Sequence, residues 1–329
     1  MTGRHLVVYS AVLLLAVGGL FVGAADLAVA EVWDGLAAGL GVGDGNPLAR
    51  GVVVDIRLPR IVGGILVGAA LGMAGAGLSG VFRNRLADPY LLGVSSGAGL
   101  GFVIGTLVAT AGASPVIGVL AATIAGALVA LATRRWSGLA EYDNGLVLIG
   151  VAANFVFLAW TLVLIFAVDS PRLPTFTYFV FGSLGTVTWE VVGLALVIVA
   201  LAAIVLGRRA RALDLIAIGD DSAQSLGVDV APVVTAVLVA AGAATGASVA
   251  LAGVVGFVGL LAPLAGRRLF GPGNGSLLPA SAGLGAIFVL VCDLVIRGLA
   301  GPVEVPLGVV TAAVGGPVLI AMLTRRAWR

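Results

Sequence analysis

The chain has 329 residues, of which 60% are hydrophobic and only 10% charged, with a net charge of +2 and a mean hydropathy of +1.17. Soluble domains carry roughly 25% charged residues, so this composition excludes a water-soluble fold and makes a bilayer the solvent. All eighteen basic residues are Arg; without Lys there is no Gly-Lys-Ser/Thr phosphate loop, and any ATP used in transport must be bound by another chain.

Apolar runs of about 20 residues are long enough to cross a hydrocarbon core of about 30 Å as helices. They occur at residues 6–25, 61–82, 91–111, 115–133, 145–168, 188–206, 231–265, 277–298 and 305–324. None alternates apolar with polar residues as barrel strands must, so the predicted fold class is an all-α polytopic membrane protein formed by a single domain over 1–329. The first run is followed by Ala28-Val29-Ala30, a small-residue cleavage pattern, yet it is long for a signal peptide and is read as a span.

The run at 231–265 is too long for one ordinary helix and barely long enough for two. Arginine placement decides between them, because cytoplasmic loops collect positive charge. With two crossings and a cytoplasmic N-terminus, Arg4, Arg83, Arg85, Arg134, Arg135, Arg208, Arg209, Arg211, Arg267, Arg268, Arg325, Arg326 and Arg329 lie inside, and Arg50, Arg57, Arg60, Arg172 and Arg297 outside. A single crossing would divide them nine to nine. The expectation is therefore ten helices, a multi-pass protein of the cell inner membrane, and both termini cytoplasmic.

Glycine or alanine recurs every four residues at Gly64, Gly68, Gly72, Ala76 and Gly80, and again at Gly97, Gly101 and Gly105. Such stripes let neighbouring backbones approach closely and are read as helix interfaces. Asn154, deep in the fifth run, either lines a path or hydrogen-bonds a neighbouring helix, with the hydrogen bond the favoured reading. The largest polar break, Arg208 to Val230, has amphipathic spacing through Leu213, Ile216 and Ile218. A bend at Gly219 and a second short segment ended by Gly227 follow. Two short helices in a cytosolic loop make a docking surface, with Asp220 and Asp221 expected to cap the second.

Near the outer edge, Arg57 and Arg60 run against the positive-inside trend and are expected to present exposed guanidiniums for carboxylates of a partner. Asp293 and Arg297, four apart with the acid first, are spaced to pair across one helical turn. Pro317, after Gly315-Gly316, is expected to loosen or kink the last helix. The lone Cys292 and lone His5 offer neither a disulfide nor a metal centre. No nucleophile constellation marks a membrane enzyme, and the polar mid-span clusters of a secondary transporter are sparse.

From Arg57 to Gly101 the chain reads RLPRIVGGILVGAALGMAGAGLSGVFRNRLADPYLLGVSSGAGLG, and further on AIGDDSAQSLGV, SVALAGVVGFVGLLAPLAGRRLFG and LLPASAGLGAIFVLVCDLVIRGLAGPVEVPLGVVTAAVGGPVLIAML. In this order the segments resemble the iron-siderophore, haem and cobalamin permease family of binding-protein-dependent ABC importers, over nearly the whole chain. Asn84-Arg85-Leu86 departs from the family's Asn-Pro-Leu, and Pro263-Leu264 from its Pro-His; the family also commonly has Gln near Ser79.

The resemblance implies a type II importer permease that imports a metal chelate. It implies a homodimer with the path on its two-fold axis, two cytosolic ATPase subunits holding ATP and Mg, and an extracytoplasmic substrate-binding protein. No cofactor or metal is expected on this chain, and no nucleic-acid partner. By the same resemblance Arg57, Arg60 and Arg297 receive the binding protein. Asp214, Ala217, Gly219, Asp220, Ser222, Ala223, Leu226 and Gly227 couple to the ATPase, and Asn84, Arg85, Leu86, Asp143 and Asn144 form a cytoplasmic gate.

Overall fold

A computed structural model describes residues 3–23, 25, 27–42, 46–90, 92–108, 116–137, 145–167, 180–298 and 305–324. The described residues form α1 (Gly3–Phe21), α2 (Val29–Gly39), α3 (Pro47–Val81), α4 (Val94–Val108), α5 (Val116–Ser137) and α6 (Gly145–Ala167). After them come α7 (Trp189–Ile216), α8 (Asp220–Ser225), α9 (Val230–Ala252), α10 (Val258–Phe270), α11 (Asn274–Gly298) and α12 (Leu307–Thr324).

The bundle is built around α3. Of its apolar window 83% is buried, against 22% for α1 and 17% for α6, which stand at the periphery and expose Leu, Val and Phe side chains. The glycine stripes explain how α3 reaches the centre. A Cβ on Gly68 would run into the Gly285 carbonyl of α11, one on Gly72 into the Ser281 carbonyl, and one on Gly75 into the Gly259 carbonyl of α10. Gly97, Gly101 and Gly105 likewise face α5 along α4. Where apolar burial gives no preference for protein over lipid, this close backbone contact supplies the dispersion energy that holds helices together.

The 231–265 run is divided into two unequal helices. α9 stops at Gly253 (φ +68°), five residues are non-helical, and α10 starts after Phe257, itself left-handed at φ +68°. With a rise of about 1.5 Å per residue, the thirteen residues of α10 reach only about 20 Å, so the break lies within the hydrocarbon layer. Non-helical backbone survives there only where protein satisfies it. Ser183 N–H donates to Ala252 O (2.9 Å), Leu307 N–H donates to Gly182 O (2.8 Å), and Gly308 packs on the carbonyls of Phe181 and Val254.

Two elements differ from the sequence expectation. The amphipathic stretch after Arg208 continues α7 without interruption to Ile216, so only α8 is a separate short helix. α2 fell between apolar runs because its apolar residues form only one face: Val29, Trp33 and Leu40 are exposed, while Val32 and Gly35 are buried against the first turns of α3.

Contacts sort the described arginines into two ends. Arg4 donates to Leu269 O (2.6 Å), at the end that also gathers Arg83, Arg85 and Arg267. The far end of α1 meets Arg57 and Arg297.

Candidate functional site

At the α1 C-terminal end, two arginines converge on one buried carboxylate and a third, Arg57, lies beside them on the end of α1. Asp293, 1% exposed, lies 2.8 Å from Arg60 Nε through Oδ1 and 2.9 Å from Arg297 Nε through Oδ2. Arg297 Nη1 donates to Gly19 O (2.7 Å) and Val22 O (3.0 Å), and Arg57 donates to the carbonyls of Leu20 and Ala25. The last carbonyls of a helix have no intrahelical partner and carry the negative end of its dipole, so guanidiniums suit them on both counts. Gly19 makes room for this clamp, since a Cβ there would stand 3.0 Å from Arg297 Nη2.

The Asp293–Arg297 pair forms as its spacing predicts. The expected exposure of the guanidiniums does not hold: Arg57 is 4% exposed, Arg297 9%, and the Arg60 side chain 14%. Their charges have left water because Asp293 and the α1 carbonyls replace it. Immediately before them Gly51–Arg57 is π-wound: Leu58 N–H reaches back five residues to Val53 O, and Val54 O is free to accept from Trp189 Nε1 at 2.8 Å. Such a bulge re-aims the residues after it, here the arginines of the cluster.

The broken segment between α9 and α10 borders a cavity of about 340 Å³ lined by Tyr90, Ser96 and Gly99 from α4 and its approach, Asn154, Leu158 and Thr161 from α6, Val254, Gly256 and Phe257 from the break, and Gly308 and Val309 from α12. Asn154 both lines it and accepts from Ser96 Oγ. The wall is mainly apolar, and among the described residues no ionised side chain lines it. Phe257 is fixed by its left-handed backbone and by Gly315 of α12, which lies against its Cβ. Sequence inspection passed over Phe257, although a Gly-Val-Val-Gly-Phe run inside an apolar stretch is a visible helix breaker.

At the arginine-rich end, Gly219 (φ +148°) and Gly227 (φ +83°) set the bends around α8. Asp220 and Asp221 make no capping hydrogen bond with α8. Asp220 instead pairs with Arg83 at 3.1 Å, both half-exposed, because Arg83 projects from the end of α3 toward it. Asp214 accepts from Asn274 N–H (2.8 Å) and Nδ2 (2.7 Å), joining α7 to the start of α11. Ala217 borders the same cleft as Asp214, and Ala223 is buried, whereas Ser222 and Leu226 are exposed. Ile218 and Leu226, 71% and 64% exposed, leave two large apolar side chains on a polar loop.

Among the expected gate residues, Asn84 Oδ1 accepts from Leu86 N–H (2.9 Å) in a tight turn, and Arg85 joins the cleft beside Asp214. Asp143 and Asn144 lie outside the described residues. Among those described, no group of three or more His, Cys, Asp or Glu converges on a point.

The FecCD transport family model matches residues 11–325. The chain is 40% identical over 285 residues to a cobalamin import system permease protein of Halobacterium salinarum, covering 84% of this chain and 74% of that protein. It is 33% identical over 320 residues to a hemin transport system permease protein of Yersinia pestis, covering 95% and 92%. Its fold superposes with a TM-score of 0.82 and 28% identity on a transporter described as of the metal-chelate ABC type in an inward-facing conformation, covering 98% of this chain and 99% of that one.

Proposed function

The chain belongs to the FecCD transport family, and from that membership we propose that it is the membrane-spanning subunit of an ABC importer that carries a metal chelate into the cytoplasm. The observation that carries this reading is the match over residues 11–325, which takes in the spans, the cavity and the polar loop together. Relatives that carry cobalamin and hemin resemble it to a similar degree, so the cargo is proposed only as a large chelate. A cavity that is mainly apolar and, among the described residues, without ionised side chains suits a bulky ligand whose metal is already enclosed.

In this reading the cavity is one half of a path completed by a second copy across a two-fold axis, and α6, largely unburied in the single chain, flanks it. ATP is hydrolysed by two cytosolic subunits that seat on the exposed Ile218 and Leu226 around α8. An acidic binding protein docks at the opposite end. Arg60 offers it a partly accessible edge of the cluster, with Arg57 and Arg297 buried behind it. The arginine-rich end then faces the cytoplasm, as positive charge in short loops favours.

Proteoliposomes holding this chain with its ATPase and binding protein test the proposal, using labelled ferric siderophore, haem and cobalamin. Uptake of one chelate that requires all components and ATP is expected, with Arg60→Gln raising the binding-protein concentration needed. Uptake driven by an ion gradient without the ATPase would instead establish a secondary transporter.

A further inference from the structure

Below α3, a cleft of about 420 Å³ is lined by Ser79, Arg83, Arg85, Asp214, Arg267 and Asn274 among others. Among the described residues its charges do not balance. Arg267 is partly buried, and its bonded partner is the neutral Ser79 hydroxyl, at 2.8 Å from Nη2. Arg85 has no hydrogen-bond or ion-pair partner among the described residues. The one carboxylate among the described residues of the wall, Asp214, already accepts from two donors of Asn274, and Asp220 at the rim is taken by Arg83.

Backbone geometry holds the arginines together at some cost. Arg83 ends α3 in the left-handed region (φ +50°), where a helix ordinarily places glycine. Side chains other than Gly, Asn or Asp are uncommon there, and such strain persists where the surroundings impose it. Two residues on, Arg85 replaces the proline expected from the family resemblance, so the third guanidinium is a feature of this chain.

We propose that this cleft binds a phosphate group, held by Arg85 and Arg267 with Arg83 at its mouth. Planar guanidiniums bind phosphate oxygens in bidentate pairs, and basic pockets between helices at a membrane surface accept lipid head groups. Free phosphate and a phospholipid head group present the same chemistry, and the site takes either.

The full-length chain, purified in a zwitterionic detergent, is melted in sodium phosphate and in sodium chloride of equal ionic strength. In parallel, nanodiscs of phosphatidylcholine with and without phosphatidylglycerol are analysed by native mass spectrometry for retained lipid. A stabilisation by millimolar phosphate whose half-saturation rises at least tenfold in Arg85→Gln and Arg267→Gln, but not in Arg209→Gln on the exposed end of α7, supports the site and names free phosphate as its source. No effect of free phosphate, with phosphatidylglycerol retained by the parent and lost from the two variants, supports it with a lipid as the source. Both variants are compared at their own melting temperature in chloride, and Arg85 is exposed, so its replacement leaves the fold intact. Parent and Arg85→Gln behaving alike in both arms, or Arg209→Gln losing as much, overturns the proposal and leaves the cleft to a carboxylate of a protein partner.

Discussion

Asp293 is the residue on which most of one end depends. Its two oxygens hold Arg60 of α3 and Arg297 of its own helix, and Arg297 in turn holds the last carbonyls of α1. Removing one partner of a buried ion pair strands the other without water, at a cost of about 3–5 kcal/mol. Asp293→Asn, nearly equal in size, takes the balancing negative charge away from both guanidiniums. The expected result is a loss of that order, measured as a fall in denaturation midpoint in detergent, while the milder Arg60→Gln loses less because Arg60 keeps some access to water. An unchanged midpoint for Asp293→Asn would mean that the α1 carbonyls alone neutralise the cluster. The Asp293–Arg297 half was legible in the sequence because a spacing of four is local. Arg60 and Arg57 were read as free for a partner, since nothing in their neighbourhood announces that α1 and α11 arrive beside them.

At the scale of the helix, small residues divide into those that meet a backbone and those that meet nothing. Gly68 of α3 and Gly285 of α11 face each other so closely that neither tolerates a Cβ, whereas Gly193 of α7 has open space beside it. Gly68→Ala should therefore force α3 and α11 apart and destabilise by about 1–3 kcal/mol, as overpacking does. Gly193→Ala should be neutral or stabilising by up to about 1 kcal/mol, from helix propensity alone. Thermal melts of the two variants side by side check this, and equal losses would show that the close approach is not what holds the pair together. The four-residue period made the stripes of α3 and α4 readable as interfaces, and the spans themselves followed from hydropathy. Hydropathy has no term for a turn that is satisfied by other protein, so the break at Gly253–Phe257 and the shortness of α10 were hidden inside a continuous apolar run. The continuation of α7 past Arg208 was hidden for the complementary reason: a helix that leaves the bilayer stays helical while its hydropathy collapses.

For the whole molecule, the cavity and the proposed ATPase surface must be joined by something stiff. The path runs from α8 through Arg83 and Asp220 to the end of α3, and through Asp214 and Asn274 from α7 to α11, the two helices α3 and α11 being locked backbone to backbone. Gly219 is the joint where α7 gives way to α8, at a φ of +148° that side chains rarely adopt. A β-branched residue there must either carry strain of about 1–3 kcal/mol or swing α8 to a new angle. Both disturb how Ile218 and Leu226 are presented, yet neither touches the cavity or the helix interfaces, since among the described residues the position has only the Ser222 hydroxyl near it. Gly219→Val should thus assemble normally and leave the ATPase able to hydrolyse ATP, while uptake per ATP falls several-fold in reconstituted vesicles. Uptake and hydrolysis falling together would instead show that α8 is needed to seat the ATPase at all. Uptake at the parent rate would remove α8 from the coupling route and leave the Asp214–Asn274 link between α7 and α11 to carry it.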